Sequence, residues 1–125
     1  MKELTKAEEQ IMQVLWEMEK GFVKDVLEKL PSPLPAYNTV STIIRILEKK
    51  GFVGYTAYGK SHEYYPLVSK DDYTRSYFRN FVSGYFSNSY KQMVSFFAKE
   101  QNLSLRELEE IKELMDKEIK RKKKK

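Results

Sequence analysis

Pro35-Ala-Tyr-Asn-Thr-Val-Ser-Thr-Ile-Ile-Arg-Ile-Leu-Glu-Lys-Lys-Gly51 separates into an apolar face and a polar face when it is wound as an α-helix. At about 100° per residue, one face carries the aliphatic side chains of Val40, Ile43, Ile44 and Leu47. The opposite face carries Asn38, Ser41, Thr42, Arg45 and Lys49. Short hydrogen-bonding side chains beside basic ones can meet base edges and phosphates in a DNA major groove, although many solvated helix faces look the same. We therefore interpret residues 36–50 as a candidate recognition helix.

The segments on either side of this helix support that interpretation. Two shorter amphipathic segments precede it, Leu4–Met18 and Phe22–Leu30. A hairpin pattern follows over Phe52–Leu67, with Tyr58–Ser61 at its tip. Three helices and a hairpin in this order predict a winged helix-turn-helix domain over residues 1–69. In that arrangement the third helix enters the major groove and Lys60, in the wing, contacts a phosphate.

Capping patterns indicate where the helices begin and end. Thr5-Lys-Ala-Glu8 has the form of a capping box, and Ser69 and Ser104 open similar signals. Gly21 is expected to cap the end of the first helix. The prolines of Pro31–Pro35 should separate the second helix from the third.

Residues 70–120 are expected to form three helices that dimerise, with a break at Phe86–Ser89. The fold class predicted for the whole chain is thus mainly α (α+β). The three helices carry more large apolar side chains than they can bury by themselves, so we assign part of this surface to a second copy of the chain. The predicted dimerisation residues are Tyr77, Phe81, Tyr85, Val94, Phe97, Leu108, Ile111 and Met115.

Composition points to a folded chain with a weak preference for a polyanionic partner. Of the 125 residues, 41% are hydrophobic and 14% aromatic, which favours folding despite 33% charged residues. The formal net charge is +5, but much of the excess lies in Lys120–Lys125. We expect residues 121–125 to be a disordered basic tail. A DNA-binding face must therefore come from local clustering of charge.

Several functional classes are excluded or disfavoured. The chain has no cysteine, which rules out disulfides, thiolate metal sites and cysteine nucleophiles. No apolar run approaches the roughly 20 residues of a membrane span, and no signal-peptide core is present, so we expect a cytoplasmic protein without membrane insertion. His62 is the single histidine, and no glycine-rich phosphate loop occurs. We expect no enzymatic activity and no cofactor.

The chain resembles the BlaI/MecI/CopY family, the penicillinase repressors. The resemblance runs through Leu4–Trp16, Tyr37–Thr42, Leu47–Gly51 and Tyr64–Val68. It implies a homodimeric repressor that binds double-stranded DNA at a palindromic operator through its winged helices. It also implies DNA-contact roles for Thr39, Ser41, Thr42, Arg45 and Lys60. We expect Arg45 and Thr42 to face bases, and Asn38, Thr39 and Lys60 to contact phosphates.

Two departures from the family pattern concern the inducing signal. The copper-responsive members use a C-terminal cysteine cluster, which this chain lacks. Antibiotic-responsive members are released from DNA by a membrane sensor-protease pathway that leads to cleavage at an Asn-Phe bond. The matching stretch here is Val94–Lys99, with Phe96 in place of the Asn. Phe96 and Phe97 are therefore candidate cleavage residues, and the identity of the signal stays open.

Two other functions compete with the repressor. A regulator could sense a small ligand among the aromatic side chains of the C-terminal helices, although a pocket needs a gap with convergent polar groups. A winged helix can also serve as a protein-interaction module. The basic side chains of Arg45, Lys49 and Lys60 favour DNA over that second alternative.

Overall fold

The computed structural model describes residues 1–124, which contain six helices and three strands. In chain order these are α1 (Lys6–Met18), β1 (Gly21–Phe22), α2 (Val23–Lys29), α3 (Tyr37–Lys49), β2 (Val53–Tyr58), β3 (Ser61–Pro66), α4 (Lys70–Phe86), α5 (Tyr90–Glu100) and α6 (Leu105–Lys123). The chain divides into two units, Met1–Phe78 and Arg79–Lys125. Lys125 itself lies outside the described residues.

The first unit is a winged helix-turn-helix, as the sequence predicts. Its three strands form an antiparallel sheet in the order β1-β3-β2, with Tyr55 opposite Tyr64 and Tyr58 opposite Ser61. One side of each helix packs into a common core with the base of the sheet. The core residues that are almost fully buried are Ile11, Met12, Leu15, Val26, Val40, Ile44, Leu47, Phe52 and Val53.

The predicted helix starts are confirmed. The Thr5 hydroxyl accepts a hydrogen bond from the Glu8 N–H at 3.2 Å, and Glu8 Oε1 accepts one from the Thr5 N–H at 2.8 Å. The Ser69 hydroxyl accepts from the Asp72 N–H at 3.0 Å, and the Ser104 hydroxyl accepts from Glu107 at 3.1 Å. Each side-chain oxygen satisfies a backbone donor that the first helical turn leaves unpaired.

The predicted role of Gly21 is wrong. Glu19 has the positive φ, 71°, and its N–H donates to the Leu15 carbonyl at 2.8 Å. Gly21 instead pairs with Tyr64 in the strand β1, which the sequence did not indicate. A Cβ at this position would lie 2.7 Å from Met18 Cε, the end of a flexible side chain, so a larger residue here would displace the methionine.

The first unit also includes the start of α4, whereas we placed the domain boundary at residue 69. Tyr73 is buried, and its hydroxyl accepts a hydrogen bond from the Leu4 N–H at 2.9 Å. Its ring centre lies 5.9 Å from that of Trp16 and 5.8 Å from that of Phe52. Burial raises the pKa of the Tyr73 phenol, so the group stays neutral. These contacts attach the first turns of α4 to the winged helix.

The second unit exposes most of its large apolar side chains. The predicted break between α4 and α5 is confirmed, with positive φ values of 50° at Ser87 and 66° at Asn88. Of the predicted dimerisation residues, Phe81 and Ile111 are half-buried. The others are exposed, namely Tyr85, Val94, Phe97, Leu108 and Met115, and so is Tyr77, which lies in the first unit.

The basic tail differs from the expected disordered segment. Helix α6 continues to Lys123, so Arg121, Lys122 and Lys123 are helical. Arg121 Nη2 donates to Glu118 Oε2 at 2.8 Å, one turn earlier. Cationic side chains in the last turn also interact favourably with the helix dipole. No helix within residues 1–124 has the length and apolarity needed to cross a bilayer.

Candidate nucleic-acid interface

Helix α3 presents the two faces that its sequence predicts. Val40, Ile44 and Leu47 are fully buried, and Ile43 is partly buried against the same core. The polar face is left on the surface, with Ser41 half-buried and Arg45 exposed. The chain turns sharply after the helix because Gly51 has a φ of 81°. The apolar face thus anchors the helix and leaves its polar face available to a partner.

A groove of about 780 Å³ runs between α3, the start of α2 and the hairpin of β2 and β3. We call it the α3–wing groove. It is lined by Phe22, Val23, Lys24, Asp25, Tyr37, Asn38, Ser41, Arg45, Tyr58, Lys60, Ser61, His62 and Tyr64.

Four of the seven side chains predicted to contact DNA line this groove. They are Asn38, Ser41, Arg45 and Lys60. The other three, Thr39, Thr42 and Lys49, are exposed elsewhere on the surface of α3. The structure therefore brings the wing lysine and one flank of the recognition helix to a common concave surface.

Hydrogen bonds along α3 restrict what its side chains can offer to DNA. Arg45 Nη2 donates to the Ser41 hydroxyl at 3.2 Å, which holds the guanidinium along the helix. The Thr42 hydroxyl donates to the Asn38 carbonyl at 2.8 Å. Thr42 therefore keeps free lone pairs and an exposed methyl group, whereas Arg45 keeps most of its donors.

The groove carries an excess of positive charge. Lys24, Arg45 and Lys60 line it, and the carboxylate of Asp25 accepts a hydrogen bond from the Phe22 N–H at 3.0 Å. Burial raises the pKa of the Tyr64 phenol, Glu48 raises it further, and Arg45 opposes both effects. The phenol is thus neutral, and a negatively charged backbone would meet three cations and one anion.

The wing is a tight hairpin with an aromatic surface. Gly59 has a φ of 63°, which permits the short loop and places Lys60 at the exposed tip. Behind the tip, the rings of Tyr55 and His62 stack with centres 4.0 Å apart and an interplanar angle of 7°. His62 thus packs within the wing while also lining the groove.

Sequence reasoning did not predict nine of the thirteen groove residues as DNA contacts, among them Lys24, Tyr37 and His62. Lys24 lies in the first turn of α2, and its relation to α3 depends on the angle between the two helices. Tyr37 begins α3 next to Asn38, so the helical wheel alone could have indicated it. His62 lies two residues from Lys60 in the predicted hairpin, which was a usable signal.

Two adjacent lysines at the end of α3 have different surroundings. Lys49 is exposed. Lys50 Nζ lies 2.8 Å from Glu8 Oε1 and 2.9 Å from Glu8 Oε2. Burial alone would raise the pKa of Glu8, but the hydrogen bonds from Lys50 and from the Thr5 N–H outweigh it and hold the pKa below its usual range.

The candidate cleavage residues are exposed but helical. Phe96 and Phe97 lie in the middle of α5, and their side chains are 56% and 47% exposed. The ring of Phe96 lies 5.8 Å from that of Phe86. A protease needs an extended backbone, so the helix must open locally before the bond between them can be cut.

Known proteins resemble this chain over nearly its full length. The model of the family described as penicillinase repressor matches residues 4–117. The methicillin resistance regulatory protein MecI of Staphylococcus aureus is 26% identical over 116 residues, which cover 92% of this chain and 94% of MecI. The penicillinase repressor of Bacillus licheniformis is 24% identical over 122 residues, covering 97% and 95% of the two chains.

A solved DNA-binding domain resembles part of this chain. The solution structure of the DNA-binding domain of the repressor BlaI has a TM-score of 0.50 and 26% identity. It covers 58% of this chain and 94% of that domain. More than half of this chain is therefore similar to a known DNA-binding domain.

Proposed function

Because the chain belongs to the penicillinase repressor family, we propose that it is a homodimeric transcriptional repressor that binds a palindromic DNA operator. The α3–wing groove is the observation that carries the proposal. It holds Asn38, Ser41 and Arg45 of one helix beside Lys60 of the wing, on a surface with excess positive charge. A helix in the major groove and a wing along the neighbouring backbone would use these two elements together.

Some of these side chains contact bases, and the others contact the phosphates of the DNA backbone. Arg45 and Thr42 face the bases, since a guanidinium can donate two hydrogen bonds to guanine and a threonine methyl can contact thymine. Asn38, Thr39 and Lys60 contact phosphates and set the position of the helix, and Lys49 adds charge at its far end. MecI is by name a regulator of methicillin resistance, and we propose that this chain likewise controls antibiotic-resistance genes.

The exposed apolar side chains of the second unit support dimerisation. Leu108 and Met115 of α6 are 40% and 50% exposed, and Val94 and Phe97 of α5 are 49% and 47% exposed. A surface of this kind usually marks an interface. Two linked winged helices bind two half-sites with an effective concentration that a single one lacks.

The DNA-binding proposal is tested by selecting duplexes from a random library with the full chain. Arg45→Ala should weaken binding to the selected duplex by about 1–3 kcal/mol and relax its sequence preference. Lys60→Ala should weaken selected and random duplexes alike and reduce the salt slope by about 1, because one phosphate contact is lost. Binding is measured by titration at several salt concentrations.

Lys112→Ala is the control, since Lys112 lies on α6 and pairs with Asp116. It should change neither the preference nor the salt slope. Equal affinity of the unaltered chain for selected and random duplexes in moderate salt would contradict the proposal.

We propose further that repression ends when the second unit is cut within α5, at Phe96 or Phe97. Cleavage there would separate the winged helix from α6 and lower avidity without touching a DNA-contacting residue. The test is to express the chain with its cognate membrane sensor and follow its mass under inducing conditions. Loss of DNA binding by a chain of full mass would exclude proteolysis and favour a bound small-molecule effector.

A further inference from the structure

We infer that the Glu8–Lys50 ion pair positions helix α3 for reading DNA. Glu8 lies in the first turn of α1 and Lys50 follows the last residue of α3, so the pair joins two helix ends that are 42 residues apart in the chain. The side chain of Glu8 is 5% exposed and that of Lys50 24% exposed, which shields the pair from water and salt. This inference rests on the proposed function, because it assigns a role in sequence discrimination.

Both oxygens of the Glu8 carboxylate accept hydrogen bonds from neighbouring groups. One oxygen accepts hydrogen bonds from the Thr5 N–H and from Lys50, and the other accepts a second bond from Lys50 at 2.9 Å. Within residues 1–124, Glu8 is the buried charged residue. A carboxylate held by the capping box of α1 is a rigid anchor, so the end of α3 is fixed relative to α1.

The apolar core cannot by itself supply this constraint. Helix α3 packs on α1 through aliphatic side chains such as Ile44 and Leu47, and hydrophobic contact is non-directional. A charged pair with two short hydrogen bonds has a preferred direction and length. A buried ion pair often adds little net stability, because the cost of desolvating the two charges offsets their attraction. Such a pair can instead select one relative orientation of the helices that it joins.

Because α3 is long, a small rotation about its C-terminal end displaces the side chains that are proposed to contact DNA. Thr42, one of the two residues proposed to face bases, lies eight residues before Lys50, which corresponds to about 12 Å at 1.5 Å per residue. A rotation of about 10° at the anchor would move Thr42 by about 2 Å. Hydrogen bonds to base edges tolerate only a few tenths of an ångström. Glu8 and Lys50 are therefore positioning residues that need not touch DNA.

The test separates positioning from stability by removing both charges together. In the double variant E8Q/K50M the net charge is that of the unaltered chain, and the Gln oxygen still accepts from the Thr5 N–H. The single variant K50M leaves a buried unpaired carboxylate and should lose much of its thermal stability. The double variant should recover most of it.

The ratio of affinities for a selected duplex and a random duplex is the deciding measurement. We expect the double variant to lose about tenfold in this ratio, the size of one base contact, while its affinity for random DNA stays unchanged. K49M, which removes the neighbouring exposed lysine, should weaken both duplexes equally and keep the ratio. A double variant that is stable and discriminates like the unaltered chain would overturn the inference.

Two further outcomes remain distinct. If the double variant lacks the ellipticity of the unaltered chain, E8Q alone decides, because it keeps the cap acceptor but presents an amide to Lys50. A lowered ratio in E8Q supports positioning, and an unchanged ratio overturns it. If the unaltered chain itself shows no preference, the proposed repressor function fails and the inferred role fails with it, whereas a preference that the unaltered chain has and the double variant keeps overturns the role of the pair alone.

Discussion

At the scale of single residues, the Glu8 carboxylate links folding to pH. Its pKa is lowered in the folded chain, despite the opposing effect of burial, by the hydrogen bonds from Lys50 and Thr5. A carboxyl with a lowered folded pKa stabilises the fold above its unfolded pKa, about 4.3 for glutamate, and loses that contribution as the pH falls through the folded value. The ion pair therefore stabilises the fold fully at neutral pH and loses this contribution in acid.

Glu8→Gln should accordingly reduce the free energy of unfolding at pH 7 by about 1.5–3 kcal/mol, the usual worth of a hydrogen bond to a charged group. The deficit should shrink as the pH falls below about 4.3, because the protonated glutamic acid then resembles glutamine. Urea unfolding at a series of pH values measures it. Glu109→Gln, on the exposed surface of α6, is the matched control. A deficit that stays constant down to pH 3 would contradict the ion-pair explanation.

At the scale of helices and turns, we expect replacement by alanine to have opposite effects on stability at two glycines. Gly51 ends α3 with a φ of 81°, and Gly84 lies inside α4; a Cβ on either would have no heavy atom within 4 Å. A methyl group therefore fits at both positions, and the two glycines differ only in backbone conformation. The left-handed region costs an L-residue about 1–2 kcal/mol, whereas alanine favours a helix interior over glycine by up to about 1 kcal/mol.

Gly51→Ala should thus lower the midpoint of thermal unfolding, and Gly84→Ala should raise it. Both are measured by circular dichroism at one fixed protomer concentration, since association would shift the midpoint. Destabilisation by Gly84→Ala would show that another surface, such as that of a second copy, approaches α4 at this position.

At the scale of the whole molecule, α6 allows dimerisation to be tested with neighbouring residues. Leu108 is an exposed apolar residue, and Glu109, next to it, is an exposed charged one. Leu108→Lys should shift sedimentation towards the monomer, because an unpaired charge would be buried in the interface. Glu109→Lys should leave the sedimentation coefficient unchanged. A compact monomer for the unaltered chain at micromolar concentration would exclude the homodimer.

Helix α3 and the wing could be predicted because their signals are local. Val40, Ile44 and Leu47 repeat at helical spacing, and Gly59 falls between two alternating strands, so neighbouring residues suffice to define each element. The capping boxes at Thr5 and Ser104 are local as well. For such elements the backbone follows from short-range sterics and hydrogen bonding.

The arrangement around these elements depends on contacts between distant residues. Gly21 pairs with Tyr64 in the sheet, 43 positions further along the chain. Tyr73 is buried, and its hydroxyl accepts a hydrogen bond from the N–H of Leu4, 69 residues away. The same holds for the α3–wing groove, which joins Lys24, Arg45 and Lys60.

The sequence by itself determined the helices, the hairpin and the polar face of α3, since periodicity and capping act within a few residues. Only the tertiary structure decided that Lys50 binds Glu8. The helical wheel places Lys49 on the polar face and Lys50 beside the apolar one, but it does not indicate which carboxylate lies within reach of Lys50. The pairing arises because packing α1 on α3 brings the Glu8 carboxylate close to the Lys50 ammonium group, and short-range patterns do not contain that geometry.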